Sequence, residues 1–89
     1  MATLFEIDGS EREVRPRNGT KFQLAELQGL LGGYIEILRP RRRVNQLLVV
    51  NKEGKLHGLP LNARASEIYG ASYDYIVGPA LLCEISEVK

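Results

Sequence analysis

The segment Gly58-Leu59-Pro60-Leu61-Asn62-Ala63-Arg64-Ala65 constrains the chain more than any other. Pro60 fixes its own φ and drives Leu59 towards an extended conformation. Asn62 has the character of a helix N-cap, because its side-chain oxygen accepts a hydrogen bond from a free backbone N–H of the first turn. Extended chain therefore becomes a short helix within this segment, with Arg64 in the first turn. Backbone donors, a side-chain amide and a guanidinium converge there. That marks a candidate anion site, although the segment matches no catalytic motif.

The flanking elements follow from periodicity and turn chemistry. Leu4, Phe5 and Ile7 run into Asp8-Gly9, a hairpin signal, so strands are expected near residues 2–7 and 11–15. The second carries Glu11, Arg12 and Glu13 and reads as an edge strand whose charges discourage pairing with other chains. Arg15-Pro16-Arg17-Asn18-Gly19 is a turn. Leu24, Leu27, Leu30 and Leu31 fall at helical spacing within residues 22–31. Phe22 and Leu27 suit a hydrophobic staple, and Gly32-Gly33 ends the helix. Gln23 is a poor N-cap, so this start is weaker than that of the second helix.

Tyr34 to Leu38 alternates, with Ile35 and Ile37 opposite Tyr34, Glu36 and Leu38. Arg39-Pro40-Arg41-Arg42-Arg43 interrupts the pattern. Gln46 to Asn51 is a near-continuous apolar run and reads as a central strand. Lys52-Glu53-Gly54-Lys55 is a hairpin turn, after which Leu56 and His57 begin a short return strand. The second helix covers about residues 62–69, with Ala65, Ile68 and Tyr69 inward and Gly70 as its cap. Residues 71–78 are a loop or short strand. Leu81, Cys83 and Ile85 then alternate with Leu82, Glu84 and Ser86. The order ββ-α-ββ(β)-α-β predicts one α+β domain over residues 1–89. Its expected architecture is a mainly antiparallel sheet of five to six strands with two short helices packed on one side.

A chain of 89 residues buries one modest core, so a homodimer is a natural supplement. Twelve basic residues stand against 11 acidic ones, for a net charge of +1, and that balance gives no steer towards nucleic acid or an anionic membrane. The single cysteine, Cys83, has no internal disulfide partner, which points to a reducing cytoplasm. The first residues lack the basic and then apolar run of a signal peptide. No apolar stretch approaches the roughly 20 residues of a membrane span.

Four arginines, Arg39, Arg41, Arg42 and Arg43, surround Pro40 with no acid among them. Such a cluster either lies solvated or clamps phosphate, since guanidinium forks bind phosphate bidentately. Asn51, Asn62 and Arg64 are expected to cluster where the central strand meets the second helix, with an anion at the helix N-terminus. The plainer alternative has Asn62 capping, Asn51 in a turn and Arg64 in solvent. Tyr34, Tyr69, Tyr73 and Tyr75 are candidates for a stacking wall or for ordinary core and rim. His57 is the only histidine. A dyad with Cys83 would imply nucleophilic catalysis, but alternation buries Cys83 with Leu81 and Ile85. Glu36 and Asp74 are the acids left for acid–base work. The chain has too few His and Cys ligands for a metal site, and nothing in it points to a cofactor.

Four motifs occur in order: Gly32-Gly33-Tyr34-Ile35-Glu36, Val50-Asn51-Lys52-Glu53-Gly54-Lys55, the Gly58–Ala65 segment, and Asp74-Tyr75-Ile76-Val77-Gly78-Pro79-Ala80-Leu81-Leu82. Over about residues 20–85 the chain resembles a small uncharacterised domain family common in bacteriophages, plasmids and other bacterial mobile elements. It departs from many relatives at Ser66, where they carry Thr, and at Gln23, where they carry a hydroxyl residue. The resemblance implies an origin in such elements more than a chemistry, and by analogy small phage domains of this size often act by binding. The first expectation is therefore a non-enzymatic protein that sequesters a small anionic, nucleotide-derived ligand. Asn51, Asn62, Arg64, Arg41, Arg42, Arg43, Tyr34 and Tyr69 would form its site. The alternative is a module that inhibits or adapts a host protein complex. Nucleic-acid binding through residues 39–43 comes third.

Overall fold

The computed structural model describes residues 2–88. Five strands form one sheet: β1 (Ala2–Phe5), β2 (Glu11–Val14), β3 (Ile35–Leu38), β4 (Gln46–Asn51) and β5 (Ala80–Glu84). Two helices accompany them, α1 (Leu24–Leu31) and α2 (Ala63–Tyr69). The spatial order is β2-β1-β5-β4-β3, and every pairing is antiparallel. The fold is α+β, as its sequence pattern implies. The apolar β4 lies inside the sheet, and the charged β2 lies at one edge. β3 forms the other edge.

The sheet has five strands, because the return strand expected at Leu56 and His57 does not form. Residues 52–58 make successive turns instead, with His57 N–H donating to Glu53 O at 3.0 Å and Leu59 N–H to Gly54 O at 3.0 Å. Gly54 is held so tightly that a Cβ there would lie 2.8 Å from a Val77 methyl. The last strand stops at Glu84, and Ile85–Glu87 form a 3-10 turn.

The helices do not share one side of the sheet, contrary to expectation. Register places Leu47 beside Cys83 and Val49 beside Leu81, whereas Leu48 pairs with Leu82 and Val50 with Ala80. Neighbouring residues of a strand point to opposite faces. Leu27 and Leu31 of α1 pack with Leu4, Leu47, Val49, Leu81 and Cys83. Ala65 and Ile68 of α2 pack with Phe5, Leu48, Val50, Ala80 and Leu82. The two cores lie on opposite faces, so the molecule has three layers. The cause is composition: β4 and β5 are apolar on both faces. Covering one face alone would leave Leu48, Val50 and Leu82 in water at about 1.5–3 kcal/mol for each full side chain.

Local chemistry fixes each connection. The Asp8-Gly9 turn closes through Glu6 N–H to Ser10 O at 2.9 Å, with Asp8 Oδ1 accepting from Ser10 N–H at 2.9 Å. At the start of α1 the Glu26 carboxylate compensates for a weak cap at Gln23. It accepts from Gln23 N–H at 3.0 Å and from Arg17 N–H at 2.9 Å. These bonds, Gln23 first, hold its carboxyl below the usual range.

Candidate functional site

The proline-led joint at the start of α2 is closed. Asn62 is only 1% exposed. Its Oδ1 accepts from Ala65 N–H at 3.1 Å, and its Nδ2 donates to Phe5 O and Gly78 O at 2.9 Å each. The Ser66 hydroxyl donates to Asn62 O at 2.8 Å and accepts from Ile76 N–H at 2.8 Å. Asn62 N–H reaches Ile76 O, and Gly78 N–H reaches Pro60 O, both at 2.8 Å. The segment Ile76–Gly78 is thus stitched across the beginning of α2. Asn62 is a structural clasp with no donor left for a ligand.

Asn51 is also separate from Asn62. Its Nδ2 donates to Leu31 O at 3.0 Å and its Oδ1 accepts from Glu53 N–H at 2.9 Å, which turns its amide to the α1 side. The expected grouping of Asn51, Asn62 and Arg64 therefore does not form. Strand alternation puts Asn51 on the same face as Leu47 and Val49, where it meets the end of α1 and satisfies one of its terminal carbonyls.

Arg64 joins a different set. Arg41, Arg42, Arg43 and Arg64 line one shallow concavity of about 440 Å³, together with Glu67 and Ile68. Pro40 is buried and anchors the loop. Arg41 N–H donates to Tyr69 O at 3.1 Å, which pins the loop to the end of α2. Arg43 Nη1 donates to Gln46 Oε1 at 3.2 Å. Arg64 Nη1 meets Glu67 at 3.0 Å, and its Nε lies 3.9 Å from Glu11. Among the described residues, the guanidiniums of Arg41 and Arg42 have no hydrogen-bond or ion-pair partner. Arg42 holds φ at 63°, the left-handed region.

A second cleft lies beside edge strand β3. Glu36 and Leu38 of β3, Val50 of β4, Tyr69 of α2, and Tyr75 and Ile76 of the returning loop border about 170 Å³. The Lys55 ammonium pairs with Asp74 and lies 4.3 Å from the centre of the Tyr75 ring. Asp74 also accepts from Tyr75 N–H at 2.8 Å. The Lys55 bond chiefly, then that N–H, hold the Asp74 carboxyl below its usual range. The same pairing raises the Lys55 ammonium. Burial pushes the Tyr69 phenol up, reinforced by the fields of Asp74, Tyr73 and Glu36.

The four tyrosines do not make one wall. Tyr69 and Tyr75 share this cleft, and the backbone end of β4 at Asn51 borders it. Tyr34 instead lines a groove with Leu24 and Gln28 near α1. Tyr73 is 85% exposed. Lys55 is the residue that sequence reasoning missed, because it reads as a turn lysine. It meets Asp74 across 19 residues only because the loop folds back over β4, and no local spacing encodes that.

Cys83 and His57, weighed as a catalytic dyad, lie apart from both concavities, whereas Glu36 and Asp74, the acids weighed for acid–base work, border the cleft beside β3. Cys83 is fully buried on the α1 face, and burial pushes its thiol up to about 12. His57 is exposed and sits 3.8 Å from Glu53. Among the described residues, no group of three His, Cys, Asp or Glu side chains suits a metal ion. No described helix is long and apolar enough to cross a membrane.

The chain matches the family model described as a domain of unknown function (DUF3846) over residues 4–88, and it belongs to that family. No curated protein and no solved structure matches it.

Proposed function

We propose that this DUF3846 member is a non-enzymatic binding protein whose arginine concavity takes up a small phosphate-bearing ligand. One observation carries the reading: Arg41, Arg42, Arg43 and Arg64 converge on one surface, where among the described residues Glu67 is the only acid in the lining and Glu11 reaches Arg64 from outside it. Unscreened guanidiniums repel one another, and an anion between them relieves that repulsion. Each fork binds phosphate bidentately. Arg41 and Arg42, whose guanidiniums have no partner among the described residues, are the primary ligand residues. The motif order over about residues 20–85 supports an origin in a phage or other mobile element. It also supports action in the cytoplasm of a bacterial host, against a nucleotide-derived signal.

Thermal shift against cyclic dinucleotides and ADP-ribose tests the reading. A ligand at 100 times its Kd stabilises by about 2.7 kcal/mol, a rise in Tm of roughly 10–20 °C for a domain of this size. Arg41→Ala with Arg42→Ala removes that rise. A flat melting temperature at millimolar ligand overturns the proposal.

A second reading, a protein-interaction module, draws support from the β3 edge. Ile35–Leu38 has a free edge and leads directly into the arginine loop, with Tyr34 66% and Ile37 38% exposed. A second copy of the chain, or a host protein, would add a strand there. A stoichiometric protein partner in pull-downs, with no small molecule retained, favours this reading. Nucleic acid as the anion predicts affinity that falls steeply with salt.

A further inference from the structure

The cleft beside β3 differs in chemistry from the arginine concavity. Leu38, Val50 and Ile76 give it apolar lining, and Tyr69 and Tyr75 contribute aromatic rings. At about 170 Å³ it holds a single ring system. That is well short of the roughly 300–1,000 Å³ that encloses a drug-sized ligand.

Its polar groups select among occupants. The Lys55 ammonium already fills the cation position between Asp74 and the face of Tyr75, so a cationic ligand meets a like charge there. A phosphate would meet the carboxylates of Glu36 and Asp74. Glu36 is exposed, and among the described residues its carboxylate has no hydrogen-bond or ion-pair partner. An apolar, aromatic slot with a free acceptor at its rim fits a flat ring carrying N–H donors. Tyrosine offers such a ring a stacking surface.

We infer that this cleft is a nucleobase site: it takes an amino-bearing base, stacked on Tyr69, with the Glu36 carboxylate accepting a hydrogen bond from the exocyclic amine. The inference rests on the binding-protein reading and names the class of ligand, a nucleotide. The Arg41 N–H to Tyr69 O bond joins the two concavities at the end of α2. A ligand with its base against Tyr69 therefore has the arginine loop on the far side of that helix end for its phosphates.

Amide chemical-shift titration of the full chain tests this with three probes: adenosine, purine riboside, which lacks the exocyclic amine, and inorganic pyrophosphate. Adenosine shifts Glu36, Tyr69, Tyr75 and Ile76, and purine riboside binds about tenfold more weakly, the scale of a good base-edge contact. Glu36→Ala, on an exposed strand position, weakens adenosine by a similar factor and leaves pyrophosphate unchanged. Silence of the cleft amides at millimolar adenosine overturns the inference, and so does equal affinity for adenosine in Glu36→Ala. Pyrophosphate shifts at residues 41–43 with no adenosine response would sink the base site alone and leave the phosphate reading standing. An adenosine response with no pyrophosphate response supports the base site and sinks the role of the arginines.

Discussion

The two faces of the sheet are covered by helices of nearly equal length, eight residues in α1 and seven in α2, yet what completes the cover differs between them. A helix of seven residues is about 10 Å long, whereas five strands at about 4.8 Å spacing extend roughly 19 Å from first to last. Neither helix covers its face alone. On the α1 face Phe22, Val14, Leu30, Ile85 and Val88 fill the remainder, and Asn51 fastens the helix end to β4. On the α2 face the remainder falls to loops, the arginine turn on one side and residues 71–77, with Ile76 buried, on the other. Both concavities discussed above are what those loops leave open. Both faces carry a buried core, but the two concavities of the proposed function open on the α2 side.

Truncating a fully buried leucine of the α1-side core and a partly buried one at the border of the cleft gives the largest expected effect. Leu31 is 1% exposed at the centre of the α1-side core. Leu31→Ala should cost about 3–4 kcal/mol, within the range for buried leucine truncations. Leu38 is only partly buried and borders the cleft, so Leu38→Ala should cost less than half as much. Urea denaturation of both variants measures the difference. Equal losses would break the contrast between the faces.

Asn62→Ala comes next. It removes the α2 cap and leaves the buried carbonyls of Phe5 and Gly78 without their donor. A cost of about 2–3 kcal/mol follows from the lost cap and the unmet acceptors. Asn62→Asp keeps the capping oxygen but brings a carboxylate to two carbonyls, so it should be no better tolerated. If either variant instead kept its stability and lost ligand affinity, Asn62 would belong to a site and the joint would not be sealed.

Much of this was legible in the chain. The Asp8-Gly9 hairpin, the leucine stripe of α1, the Asn62 cap and the run at Gln46–Asn51 each carry a local signal, and each appears where that signal puts it. The placement of the helices was legible in principle too, since β4 is apolar at successive positions and such a strand needs cover on both sides. The end of β5 was less so: Glu87 accepts from Glu84 N–H at 2.9 Å and the strand gives way to a 3-10 turn, although Ile85 still packs on the face of Leu81 and Cys83. The site divides in the same way. The arginine run is visible as a run, but its union with Arg64 depends on how the β3–β4 loop lies against α2. The Lys55–Asp74 pair depends on a loop that folds back, for which no periodicity exists.

Acid titration should touch both faces alike, and by a smaller margin. Glu26 on the α1 side and Asp74 on the α2 side both have carboxyls held below their usual range, by Gln23 N–H and by Lys55 respectively. A depressed carboxyl contributes stability that is present above its unfolded pKa and is lost as pH falls through the lower, folded value. Lys55 stays protonated throughout that window. Glu26→Gln and Asp74→Asn should each flatten part of the acid limb below about pH 4. Both groups are solvent-screened, so each shift in the acid midpoint should be modest. A variant that leaves the acid limb unchanged would show that its carboxylate gains nothing from folding.

The smallest effect should also be the most discriminating. Arg42 holds φ at 63° with a side chain that pays for that conformation, whereas glycine adopts it freely. Two terms oppose each other in Arg42→Gly. Relief of the left-handed backbone is worth about 1–2 kcal/mol per residue. The extra freedom of glycine in the unfolded chain returns roughly 0.5–1 kcal/mol of that. The guanidinium has no internal partner to lose, so a net gain of about 0.5 kcal/mol is expected, seen as a small rise in the urea midpoint. Phosphate binding should fall at the same time, because one of two unpartnered forks is gone. Arg42→Asn sharpens the point, since asparagine tolerates the left-handed region better than arginine and also removes the charge. Strain kept at a residue that contributes nothing else to folding is accounted for if that residue is needed for a ligand. A variant more stable than the parent with undiminished phosphate affinity would detach the strain from function and leave the turn without a role.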